Sequence, residues 1–340
     1  MRLSAARHAP RSLVALVAVA ALGAFGGVGF VATPASATPG VAATVSGPPY
    51  PPRLIVKTEL RFKANLIVRN LEGSPQLVFF GGSRSQRFDP AFARRRLGLR
   101  SVNIALSCAH PEAAWGYAHW FYKRWPGAKV RWVWGMQVAT LYDRDLDAAL
   151  LQDQRFYRFF PDDLLESQRR LLPSSIAEMP HFYGFLRNRY SSHGMLLWNT
   201  YDARRAAGYT LDRSLDAYIA KMLHKTRRAS FDPTSRASEY LEKTLELLNA
   251  HGTTPVIVLM PIHPRVLRVM EQHQMSGDRE NLREYLAGLT ETYDIEIVDF
   301  TRIQSFNGEP GWFYDGVHIT RSNAIRVITA LKWKAGEYLK

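Results

Sequence analysis

The sequence predicts an α/β protein: a three-layer α/β/α domain on a mainly parallel five-stranded sheet, with a largely helical insertion after the third strand. Three observations point there. Short apolar runs alternate with helical patterns from about residue 75 onward, the arrangement of repeated βαβ units. One of those runs, Val256 to Met260, is apolar without interruption, as a strand covered on both faces must be. Residues 138–230 alone break the alternation, being rich in arginine and aromatic residues and holding no convincing strand.

The elements follow in chain order. Arg2, Arg7 and Arg11 form a basic start with no acidic residue near them. An apolar run over residues 13–32 and a small-residue Ala35-Ser36-Ala37 site complete the pattern of a secretory signal peptide over residues 1–37. The run is long enough to span a bilayer, so an uncleaved N-terminal anchor is the alternative. Residues 38–52 are rich in Pro, Gly and Ala and read as a tether to a domain over residues 53–340.

Within that domain the strands are predicted at Leu77–Phe80, Ser101–Leu106, Val130–Trp134, Pro255–Met260 and Ile295–Val298. Helices are predicted over Pro111–Trp125, from an Asp232 cap and Pro233 to His251, over Asp278–Tyr293, and from Thr320 to Leu339. Thr320 stands as the N-cap of the last. The insertion is expected as a cap over the substrate, with Arg187, Arg189 and Arg204 meeting an anionic or polyhydroxylated ligand, or else as a lid that thickens the fold.

The formal charge is +14 at pH 7, and +11 without the three N-terminal arginines. On an exported chain this points to an anionic envelope polymer or lipid headgroups rather than nucleic acid. Cys108 is the single cysteine, so no internal disulfide is available and the core must hold the fold unaided. With no clustered Cys/His spacing, neither a metal site nor a cofactor is expected. Asp143, Asp145 and Asp147 alternate, but they lack the Gly and terminal Glu of a calcium loop and suit capping.

Chemistry is concentrated in two stretches. LVFFGGSRSQ runs from a buried strand into Gly81-Gly82 and places Ser83 where α/β folds put their working groups. YDGVHIT puts Asp315 and His318 three apart before the last helix, the spacing for an acid that orients an imidazole base. Cys108 with His110 is a rival nucleophile–base pair, but residues two apart on extended chain point to opposite faces. His263, in PIHP after the fourth strand, is a spare imidazole on the same sheet edge or a structural donor.

These stretches resemble the SGNH (GDSL-type) hydrolases, and among them exported, envelope-associated members that add or remove acyl groups on surface polymers. The resemblance covers roughly residues 75–135 and 232–335. It implies a flavodoxin-like core, Ser83 as nucleophile and Asp315 and His318 as its partners. NIALSCAHPEA resembles the second block, with Cys108 near the glycine whose N–H serves the oxyanion. VWGMQ resembles the third, with Gln137 in place of the asparagine. Gly82 also departs from the family's Asp. Arg84, after the nucleophile, adds charge for an anionic acyl acceptor or phosphate, or is a solvated surface arginine. The implied activity is ester hydrolysis or acyl transfer on a polysaccharide through an acyl-Ser83, with a membrane partner as a candidate acyl donor. The rival is a glycan-binding module with a retired site, distinguished by a Ser83–His318 separation beyond about 6 Å, since hydrogen-bond reach is about 2.6–3.2 Å. A two-metal phosphodiesterase or sulfatase lacks its carboxylate cluster.

Overall fold

Strand β1 (Leu77–Gly81) is buried along its whole length, and its side chains part to opposite faces with the period of two that a strand imposes. Leu77 and Phe79 join one core, while Val78 and Phe80 join the other. Every further element is arranged around that division. The computed structural model describes residues 58–142, 144–170, 188–224, 231–273 and 275–339. The expected signal peptide, the tether, Asp143 and Arg187 lie outside the described residues.

β1 pairs in parallel with β2 (Ser101–Asn103) on one side and β3 (Arg131–Met136) on the other. In the insertion, β4 (Arg189–Tyr190) and β5 (Leu196–Trp198) form a separate antiparallel ribbon. β6 (Val256–Leu259) pairs with β3 and β7 (Glu296–Asp299) with β6, both parallel, which gives the main sheet the order β2-β1-β3-β6-β7. This is the doubly wound order, whose strand direction of progress reverses between β1 and β3. Ligands in such sheets sit beyond the strand C-termini at that switch point.

Helices cover both faces. On one lie α1 (Glu59–Asn70) and α3 (Pro111–Arg124), with α9 (Arg236–Ala250) and α11 (Gly277–Leu289), packed against Trp132, Trp134 and Ile257. On the other lie α2 (Pro90–Leu97) and α12 (Arg321–Lys334), packed against Val133, Val258 and Val298. The expected α/β/α layering and five-stranded sheet are therefore present, and the sheet is wholly parallel. Among the described residues, no helix is long and apolar enough to cross a membrane.

The insertion carries short helices α4 (Ala148–Gln152), α5 (Gln154–Tyr157) and α6 (Asp162–Arg169), then α7 (Thr200–Ala206) and α8 (Leu211–Leu223). α10 (Pro264–Gln272) follows β6, and its Val266 and Leu267 pack with Leu215 of α8. The β4–β5 ribbon corrects the expectation of an insertion without strands. Each of its strands is only two or three residues long, too short to leave an alternating pattern.

Two cap expectations change. Asp232 accepts from the Thr234 backbone N–H at 2.8 Å and closes a local turn, so α9 starts later, capped by Ser235. Thr320 occupies the N-cap of α12, but its hydroxyl is buried and makes no capping bond. Asp147 does cap, accepting from Ala149 N at 2.7 Å.

Candidate active site

The exits of β1 and β3 are packed too tightly for side chains. Gly81 has φ +132°, and a Cβ there would stand 2.3 Å from the carbonyl oxygen of Gly135, its register partner. A Cβ on Gly135 would stand 1.9 Å from Ser85 Oγ. Only glycine fits such an approach. The chain then turns through one turn of 3-10 helix, Ser83–Ser85, and Ser83 is left half-buried at the switch point.

The loop after β7 brings the partners. His318 Nε2 lies 2.8 Å from Ser83 Oγ. Its Nδ1 lies 2.8 Å from Asp315 Oδ2 and 3.0 Å from Oδ1. With the ring proton on Nδ1, the imidazole donates to Asp315 and its Nε2 accepts from the Ser83 hydroxyl. Asp315 Oδ1 also accepts from the backbone N–H groups of Val317 and His318, at 2.8 and 2.9 Å. Burial works against the charge on Asp315, but the imidazole of His318 and these N–H donors outweigh it and hold the carboxyl down at about 2. An ionised carboxylate, an oriented imidazole and a hydroxyl thus stand in line, the arrangement that activates a serine oxygen.

Three donors on the loops that leave β1, β2 and β3 are unused among the described residues. The backbone N–H groups of Ser83 and Cys108 make no hydrogen bond. The side-chain nitrogen of Gln137, directly after β3, faces Gly82, 3.4 Å from where a Cβ would be, while its buried Oε1 has no partner. Cys108 has φ +55°, an uncommon backbone for a residue with a side chain and one that clusters at functional sites. Its left-handed turn supplies what a glycine would supply there.

The rival Cys108–His110 pair is not assembled. Burial pushes the Cys108 thiol up, the opposite of what a thiolate nucleophile needs, although Arg144 pulls the other way. Burial and the charges of Arg144 and Arg236 push His110 down to about 3.

His263 is given a different role. Its Nδ1 accepts from Arg265 N at 3.1 Å and caps α10, which leaves the ring proton on its other nitrogen. Its backbone N–H donates to Gly316 O at 2.9 Å. It braces the Asp315–His318 loop and shows no bond to Ser83.

The insertion closes over the triad. Asn199 caps α7 by accepting from Tyr201 N at 2.9 Å, which aims Tyr201 inward. The Tyr201 ring centre lies 4.7 Å from that of His318, and burial together with the Asp315 carboxylate pushes its phenol up. Asp202, beside it, is paired with Arg87 and accepts from Tyr314 OH at 2.6 Å. Tyr218 of α8 packs on Gly316, where a Cβ would meet its ring at 2.6 Å. Of the insertion arginines singled out by sequence, Arg189 lies over the Trp198 ring at 5.1 Å and Arg204 sits in α7.

Further residues hold the site loops. Asn103 Nδ2 donates to the Ser85 and Phe88 carbonyls, both at 2.9 Å, and its Oδ1 accepts from Ala105 N at 3.0 Å. Glu59 of α1 accepts from Ser107 N at 2.7 Å, Gln86 Nε2 at 2.6 Å and Tyr190 OH at 2.5 Å. One turn on, the fully buried Lys63 donates to the Ala105 carbonyl. Burial lowers that ammonium to about 8 although Glu59 opposes the shift. Helix α1 therefore grips both sides of the chain that leads to Cys108. The i, i+4 pair Glu59/Lys63 is a sequence signal for such a grip, but it equally fits a solvated helix face.

Two surface clefts, of about 340 and 300 Å³, are lined by Phe231, Asn281 and Tyr285 and by Lys129, Thr254 and Tyr338; no triad residue lines either. Among the described residues, no group of three or more His, Cys, Asp or Glu is placed to hold a metal. The chain matches no protein-family model and no curated protein.

Proposed function

We propose that this protein is a serine-dependent O-acyl esterase or O-acyltransferase of the SGNH type, working through an acyl-Ser83 intermediate. The observation that carries the reading is the unbroken relay Ser83–His318–Asp315, with 2.8 Å between the hydroxyl and the imidazole. His318 takes the Ser83 proton as Oγ attacks the ester carbonyl. Asp315 fixes the ring and balances the imidazolium that forms. The negative charge on the carbonyl oxygen is met by the N–H groups of Ser83 and Cys108 and by the Gln137 amide. His318 then returns its proton to the departing alcohol. Water or a sugar hydroxyl, deprotonated by the same imidazole, attacks the acyl-serine and frees the enzyme.

The hydroxyl lies well inside the separation that would favour a retired, binding-only site. Donors left unpaired on the neighbouring loops cost stability unless a ligand uses them, which supports an acceptor oxygen bound at this place. A basic chain, an N-terminal export pattern and the tyrosine- and arginine-bearing insertion support a cell-envelope or secreted polysaccharide as the acceptor or substrate.

The reading is tested by incubating the protein with p-nitrophenyl acetate and measuring intact mass after an acid quench. The expected result is a one-acetyl mass increase that maps to Ser83 and disappears in Ser83→Ala. Added oligosaccharide then separates hydrolysis from transfer, by whether acetyl appears on sugar or in water. A folded protein that shows neither adduct nor release above the variant overturns the reading.

A further inference from the structure

Several arginines of this fold are paired to carboxylates, among them Arg87 to Asp202, Arg155 to Asp153 and Arg236 to Glu112. Arg84 is not. It follows Ser83 directly, is half-buried, and makes no hydrogen bond or ion pair with any described residue. The titratable groups that act on its guanidinium are Tyr218 of α8, whose ring packs on Gly316 beside the triad, Asp315 itself and Tyr201 of α7.

None of these serves as a counter-ion. The Asp315 carboxylate is already taken by the His318 ring and two backbone N–H groups. Burial pushes both phenols up, so each stays neutral and keeps its proton. Tyr218 OH makes no hydrogen bond among the described residues. What remains beside the nucleophile is a partly desolvated cation, a free phenolic donor and a wall formed by the Tyr201 ring. A desolvated cation without a partner destabilises a fold, whereas a bound anion removes that cost. The planar guanidinium fork matches a carboxylate bidentately, which an ammonium does not.

We propose that Arg84 and Tyr218 form a subsite for a carboxylate carried by the substrate close to the scissile ester, so that the substrate class is an anionic ester. The anion sits either on the acyl group, as in the half-ester of a dicarboxylic acid, or on an acidic sugar that bears or receives the acyl group. Both present the same chemistry to Arg84. This inference rests on the acyl-Ser83 reading and adds the sign of the substrate's charge. The subsite is built by two segments of the fold, the 3-10 turn after β1 and α8 of the insertion. That assigns the insertion a part in specificity.

The test compares wild type with Arg84→Gln, Arg84→Lys and Tyr218→Phe. In the first arm the substrates are the mono-p-nitrophenyl ester of adipic acid, whose carboxylate is too remote to attack its own ester, and the corresponding methyl diester. In the second, p-nitrophenyl acetate is the acyl donor, and galacturonate and galactose are compared as acceptors. Wild type is expected to favour the anionic member of one pair by about tenfold or more, the usual worth of a hydrogen bond to a charged group. The arm that shows the preference names the source of the anion. The preference is expected to collapse in Arg84→Gln, to be partly kept in Arg84→Lys, and to weaken in Tyr218→Phe.

Adipate alone is expected to raise the Tm of wild type but not of Arg84→Gln, a binding readout that needs no turnover. Wild type that acylates Ser83 but shows no charge preference in either arm, or a preference that Arg84→Gln retains, overturns the subsite and leaves the serine reading standing. Wild type with no acyl-Ser83 at all overturns both.

Discussion

Two histidines stand on the same edge of the sheet, His263 after β6 and His318 after β7, and their loops touch through the bond from His263 N to Gly316 O. They are held in opposite tautomers. In His318 the proton sits on Nδ1 against Asp315, which leaves the Nε2 lone pair for the Ser83 hydroxyl. In His263 the Nδ1 lone pair is consumed by the Arg265 N–H, so the proton sits on the other nitrogen. Burial, with Arg265 and Arg268 close by, pushes His263 down and keeps it neutral. An imidazole becomes a base when a carboxylate takes its proton side and nothing else takes its lone pair. When backbone takes the lone pair, it becomes a brace.

Breaking the His318 side of this comparison should have the largest effect. Ser83→Ala or His318→Ala is expected to lower ester turnover by roughly 10⁶, since either loss dismantles the whole relay. His263→Ala is expected to stay within about tenfold of wild type in the same assay. Asp315→Asn should follow, with a loss of about 10⁴, because an amide in that place favours the wrong tautomer of His318.

The same carboxylate sets an acid limit on stability. Held at about 2 in the fold, against 3.8 for an ordinary aspartate, Asp315 adds stability that is fully present above pH 3.8 and lost as pH falls through 2. The amount is about 2 kcal/mol. Urea unfolding between pH 5 and pH 2 is expected to show that extra slope in wild type and not in Asp315→Asn.

Gln137→Ala sharpens the comparison from the acceptor side. It should cost about 10²–10³ in turnover, the worth of one oxyanion donor, with Ser83 still able to acylate. Asn103→Ala tests the scaffold. By leaving the Ser85 and Phe88 carbonyls without their buried donor, it should cost about 1–3 kcal/mol of unfolding free energy. The smallest effect is expected at the brace. His263→Ala should lose a helix cap worth about 1 kcal/mol, read as a lower Tm, and His263→Asn should restore most of it.

The relay was legible because its members announce themselves locally. Gly81 must be small for the close approach to Gly135, and Asp315 must stand three residues before His318 to take its backbone N–H and its ring together. Strands β1 and β6 were legible because burial on both faces leaves continuous apolar runs. Helix α2 was missed since its three arginines hide the few buried positions, Ala93 among them. Helix α1 was missed because its buried face carries Glu59 and Lys63, residues that composition assigns to solvent. Tyr201, Tyr218 and Asn103 escaped notice for another reason. Each acts across the chain, as Tyr201 does on His318, and no local pattern records which distant loop a side chain will meet.

Labelling by a fluorophosphonate probe, mapped to the residue modified, tests the contrast between the two imidazoles most directly. The expected result is an adduct on Ser83 in wild type and in His263→Ala, and none in a folded His318→Ala. Labelling that survives in His318→Ala, or that vanishes in a folded His263→Ala, would contradict the assignment of base and brace.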